Sequence, residues 1–149
     1  MSGFDADWLA LRASADDAAR AGATDRLLAT LDLPADELRV VDLGAGSGNN
    51  AAFLAPRLAA RGVRRQRWLL VDDDPVLLGR AGGRLADVEV ETLRVDLARE
   101  LDAVPFESAG LVTTSALLDL ASGQWIDALA RRLSAARVPA VLAALSIDG

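Results

Sequence analysis

The stretch Val40-Val41-Asp42-Leu43-Gly44-Ala45-Gly46-Ser47-Gly48 decides how this chain is read. A short apolar run of the kind that forms a buried strand passes directly into a loop with glycine at every second position. The helical pattern Asn49 to Ala60 follows. Glycines allow the tight turn and let a ligand approach backbone where a Cβ would clash. The start of the following helix offers free N–H groups. A dinucleotide fingerprint, G-x-G-x-x-G, requires glycine at position 49, and Asn49 stands there. The third glycine falls one place early, which favours a nucleoside ligand without a pyrophosphate over NAD or FAD. A phosphate-gripping loop ending in lysine is excluded, because the chain has no lysine.

Working outward, the chain reads as a helical N-terminal region over 5–31 followed by alternating strands and helices. Strands are predicted at 38–43, 68–71, 88–95, 109–114 and 139–147, and helices at 49–60, 76–85 and 125–136. Pro56 is expected to kink the first of these helices or shift its start. The 88–95 segment alternates apolar and polar residues, as a half-exposed edge strand does. This order predicts an α/β fold: a doubly wound, mostly parallel sheet in a three-layer α-β-α arrangement. The expected organisation is a single domain over 1–149, with a helical cap at 1–36 and a β/α core at 37–149.

Composition narrows the chemistry. The 149 residues are 52% hydrophobic and 26% charged, which suits one domain with a buried core. There is no cysteine, histidine, lysine or tyrosine, so all 16 basic residues are arginine. Disulfides, thiolate metal sites, a Ser-His-Asp triad, a Schiff base and a Tyr-Lys dehydrogenase pair are all excluded. A net charge of −6 argues against a nucleic-acid surface. The one basic run, Arg61 to Arg67, reads as a solvated loop. No stretch is long and apolar enough for a membrane helix. The acidic start MSGFDADW lacks a signal core, so a cytoplasmic location is expected.

The glycine segment resembles motif I of the class I S-adenosylmethionine-dependent methyltransferases, and the chain from Arg39 to Gly149 follows that family's order. The resemblance, which points to a bacterial branch of the superfamily, implies a Rossmann-like sheet and S-adenosyl-L-methionine as cofactor. It places Gly44, Ala45, Gly46, Ser47 and Gly48 in the cofactor loop, with Asp42 ordering that loop and the amino-acid end of the cofactor. It assigns Asp72 to the ribose hydroxyls; a carboxylate can accept from two adjacent hydroxyls at once. Asp73 stands where the family places an apolar side chain against adenine. Asp96 matches the residue that reads the adenine amine, with the Leu97 amide beside it. Ser115 falls in the loop under the methionine part, Arg12 is a candidate partner for the cofactor carboxylate, and Asp119 is a candidate catalytic base. No metal is implied.

The family sheet has seven strands, and only five are found here. The fifth would be an apolar edge formed by Val141, Leu142, Ala143, Leu145 and Ile147, which suggests a truncated chain or a homo-oligomer paired along that edge. The bland readings are a simple strand-to-helix turn for the glycines, a helix cap for Asp74, a turn residue for Asp96, and packing anchors for Trp8, Trp68 and Trp125. The reading is methyl transfer to a small-molecule acceptor. The alternatives are a non-catalytic nucleoside-binding module and, further off, a nicotinamide or flavin oxidoreductase.

Overall fold

A computed structural model describes residues 21–115 and 122–144. Residues 21–29 are helical (α1). Five strands then alternate with helices: β1 Glu37–Leu43, α2 Asn49–Ala60, β2 Arg65–Asp72, α3 Pro75–Arg84, β3 Glu89–Arg94, β4 Leu111–Ser115, α4 Gly123–Ala135 and β5 Val141–Ala144. A 3-10 turn, Leu101–Ala103, lies in the crossover between β3 and β4. The strands form one sheet in the order β3-β2-β1-β4-β5, and every pairing is parallel. The expected doubly wound α/β sheet is therefore present.

β1 sits at the centre because its sequence is apolar on both faces, and its last four residues are all buried. Val40, Trp68 and Leu70 pack with Leu54, Leu58, Leu78 and Ala81 of α2 and α3 on one face. Val41, Leu43, Val71 and Val112 pack on the other with Phe106 of the crossover and Leu129 of α4. Two apolar layers against one sheet give the three-layer arrangement. β3 is an edge strand whose residues are all exposed or half-buried, as its alternation predicts. β5 has β4 as its one neighbour among the described residues.

Two details differ from the expectation, and a third is described only in part. β2 starts at Arg65, so Arg65, Gln66 and Arg67 are strand rather than solvated loop. Gln66 is buried, its Nε2 donating to the Ala55 carbonyl (2.8 Å) and its Oε1 accepting from the Trp68 indole (2.9 Å). Pro56 lies inside α2 without moving its start, because Phe53, Leu54, Ala55 and Leu58 are all buried and hold the helix on the sheet. β5 is described only over Val141–Ala144; Leu145 and Ile147 lie outside the described residues.

Candidate functional site

The site is built where the strand order reverses. β1 lies between β2 and β4; the chain runs from β1 to β2 on one side and crosses from β3 to β4 on the other, which opens a crevice at the carboxyl ends of the strands. The glycine loop occupies that place. Gly44, Gly46 and Gly48 all have positive φ (69°, 55° and 87°). The glycines at 46 and 48 meet different demands. A Cβ at Gly46 would touch nothing within 4 Å, so its face is open to a ligand. A Cβ at Gly48 would come within 3.0 Å of Ala81 Cβ, so this glycine admits α3 against the loop. Gly48 is also the N-cap of α2.

The loop is tied to its surroundings on three sides. The Ala45 N–H donates to the Val71 carbonyl of β2 (2.9 Å). Arg84 of α3 donates to the Ser47 carbonyl (3.2 Å) and to Asn49 Oδ1. Asp42, fully buried at the end of β1, accepts at Oδ1 from Asn50 Nδ2 and from Thr113 Oγ1, both at 2.9 Å. Asn50 in the first turn of α2 and Thr113 on β4 thus hold the carboxylate that precedes the glycines. Their identities carry no local motif, and they lie 8 and 71 residues from Asp42.

Asp72 closes β2 and faces the loop. Its Oδ2 accepts from the Gly46 N–H (2.8 Å) and its Oδ1 from the Asp74 N–H (3.0 Å). Burial pushes the Asp72 carboxyl above its ordinary range; the two N–H donors pull the other way, and the neighbouring Asp73 adds to the rise. Asp74 is the N-cap of α3, its Oδ1 accepting from Val76 N (2.9 Å) and Leu77 N (3.3 Å) with Pro75 following, as the capping pattern predicts.

The next turn adjoins Asp72. The Val95 N–H donates to the Asp72 carbonyl (2.9 Å), and Asp96 and Leu97 follow. Asp96 Oδ1 accepts from the Ala98 N–H (3.0 Å), so this residue does shape a turn. Asp73 is half-buried, and its carbonyl accepts from Arg94 Nε (3.3 Å). Ser115 ends β4, in register with Ala144. Arg12 and Asp119, and Trp8 with them, lie outside the described residues. The structure therefore brings Asp42, residues 44–48, Asp72, Asp73, Asp96 and Leu97 to the carboxyl ends of β1, β2 and β3. A separate groove of about 250 Å³, bordered by Arg39, Arg67, Glu89, Glu91 and Glu107, lies where β1, β2 and β3 begin and is distinct from this crevice. Among the described residues no acidic cluster could hold a metal ion, and no helix is long and apolar enough to cross a membrane.

An open parallel sheet with a glycine loop at its switch point and a carboxylate on the neighbouring strand is the arrangement at which doubly wound α/β proteins bind their ligands. No family model matches the chain, and no curated protein matches it. Among solved structures it is similar to an S-adenosylmethionine dependent methyltransferase from Mesorhizobium loti, at 26% identity and a TM-score of 0.56, over 78% of this chain and 47% of that one. It is also similar to an arsenic (III) S-adenosylmethionine methyltransferase from Chlamydomonas reinhardtii (26% identity, TM-score 0.47, 66% of this chain and 36% of that one). A third is phosphoethanolamine N-methyltransferase 1 from Haemonchus contortus (22%, 0.48, 84% and 23%). Its fold is that of the class I S-adenosylmethionine-dependent methyltransferases. It spans less than half the length of each of these three structures.

Proposed function

We propose that the crevice binds S-adenosyl-L-methionine and that the protein containing this chain transfers its methyl group to a small-molecule acceptor. The observation that carries the reading is the half-buried Asp72 carboxylate, which accepts from the N–H of Gly46, a glycine whose Cβ position is open. The residues fit the group. Gly46 leaves space where a side chain would stand, and Asp72 offers acceptors suited to adjacent sugar hydroxyls. Two buried hydroxyls near the ends of the strands, Ser47 Oγ and Thr114 Oγ1, have no hydrogen-bond partner in the described structure. The likeness to the Mesorhizobium loti methyltransferase supports the same cofactor.

Asp72 would hold the ribose, the 44–48 loop would lie under the sugar and the amino-acid end, and Asp96 with Leu97 would border the base. Asp42 acts through the loop, fixing it by its bonds to Asn50 and Thr113. The bound cofactor supplies a methyl group already activated by the positive charge on sulfur. The protein's work is then alignment and exclusion of water, and a chain without histidine, cysteine, lysine or tyrosine can perform it. The acidic balance of the chain favours a small acceptor over nucleic acid. Location in the cytoplasm and self-association along β5 belong to the same proposal.

The test is titration calorimetry with S-adenosylhomocysteine. The wild type is expected to bind, and Asp72→Ala to weaken binding by about 1.5–3 kcal/mol, the usual worth of hydrogen bonds to a charged group. Unchanged binding in the variant removes Asp72 from the ribose. Binding without methylation of any small-molecule pool would favour the non-catalytic module instead.

A further inference from the structure

The crossover from β3 to β4 carries a single 3-10 turn, so the Asp96–Leu97 turn has little helical backbone of its own to hold it. α4 holds it from outside. The Trp125 indole, in the first turn of α4, donates to the Leu97 carbonyl (2.7 Å). Two helical turns on, Arg132 Nη2 donates to the Val104 carbonyl (2.6 Å), and its guanidinium lies 5.4 Å from the centre of the Phe106 ring. Residues seven apart share a helix face, so one face of α4 fastens the crossover at both ends. The two ends differ in what they border. The Val104 end packs into the core. The Leu97 end continues from Asp72, whose carbonyl accepts from Val95.

We propose that Trp125 is a positioning residue that sets which nucleobase the crevice accepts, by fixing the Asp96–Leu97 turn beside Asp72. The proposal rests on the reading of the crevice as an adenosyl site. Asp96 engages one carboxylate oxygen in its own turn and keeps the other as an acceptor. The Leu97 N–H makes no hydrogen bond among the described residues. An acceptor next to a donor matches the edge of adenine, where an amine adjoins an unprotonated ring nitrogen. It mismatches hypoxanthine, where a carbonyl adjoins a protonated one. The match depends on the turn being held within a few tenths of an ångström, and the indole N–H supplies that restraint at the Leu97 carbonyl. Tryptophan keeps its ring in the apolar layer beside Leu129 while the N–H reaches the backbone.

The experiment is calorimetry with adenosine and with inosine on the wild type, Trp125→Phe and Arg132→Met. The wild type is expected to prefer adenosine by about tenfold or more, the discrimination a mismatched hydrogen-bond pair gives. Trp125→Phe keeps the ring, loses the N–H, and should bring the two ligands together. Arg132→Met loosens the remote end of the same crossover and should lower the melting temperature with the preference intact. A preference retained in Trp125→Phe, or lost equally in Arg132→Met, overturns the proposal. So does a wild type that binds both nucleosides alike. A wild type that binds neither adenosine nor S-adenosylhomocysteine overturns the cofactor reading and the proposal with it. Should Trp125→Phe fail to fold, 15N-indole spectra of the wild type decide: the Trp125 N–H resonance should move with adenosine and stay with inosine, and an unmoved resonance counts against the role.

Discussion

Asp72 is a carboxylate kept partly out of water and held by two backbone donors, and burial outweighs those donors in raising its pKa. Its effect on stability has a definite sign. With the folded value above the unfolded one of about 3.9, the side chain favours folding below the unfolded value and loses that contribution as pH rises through the folded value. Relative to Asp72→Asn, the ligand-free wild type should therefore lose melting temperature as pH rises from about 4 to about 7. Parallel thermal scans check this, and a pH-independent difference would refute it. The glycines permit a second comparison. Gly48→Ala adds a Cβ 3.0 Å from Ala81 Cβ and 3.3 Å from Ala81 Cα at φ 87°, whereas Gly46→Ala meets only its own strained backbone. Urea unfolding should show a loss of about 1–2 kcal/mol for Gly46→Ala, and a larger one for Gly48→Ala, where about 1–3 kcal/mol of overpacking adds to the same strain. Binding of S-adenosylhomocysteine should suffer most at Gly46, the open face.

Among the elements, α2 runs through Pro56 although proline lacks the N–H that would bond the carbonyl four residues back. Pro56 is exposed while its neighbours on the packed face are buried, so the helix persists through tertiary contacts rather than intrinsic preference. Pro56→Ala should stabilise the protein by roughly 1–3 kcal/mol, the propensity gain less the entropy that proline removes from the unfolded chain. Chemical denaturation measures it. The strand-loop-helix unit around Gly44 was plain in the sequence, because glycine spacing and an apolar run are local signals. The cap at Asp74 was plain for the same reason. The start of β2 was not. Arg65, Gln66 and Arg67 look like a solvated run, and the partners that bury Gln66 are the Ala55 carbonyl on another element and the indole two residues on. The bonds from Thr113 to Asp42 and from Trp125 to Leu97 span 71 and 28 residues, distances over which no local pattern speaks.

At the scale of the molecule, the two edge strands of the described sheet differ. β3 carries Glu89, Glu91 and Arg94, charges that discourage pairing with another sheet. Val141 on β5 is 49% exposed in a strand of apolar residues. If β5 mediates the proposed self-association, light scattering should show a species larger than the monomer that dissociates on dilution. Val141→Lys should shift it toward monomer, and an unaltered distribution would place the contact elsewhere. The succession of five strands and their helices was readable from the alternation of apolar runs and helical stripes.

The fastening of residues 44–48 to β2, to α3 and, through Asp42, to β4 has a kinetic meaning. A loop already pinned on three sides would have little disorder to surrender to the adenosyl group proposed above. Capture would then proceed at a pace set by encounter, and differences in residence time among related nucleosides would fall to how quickly each one escapes.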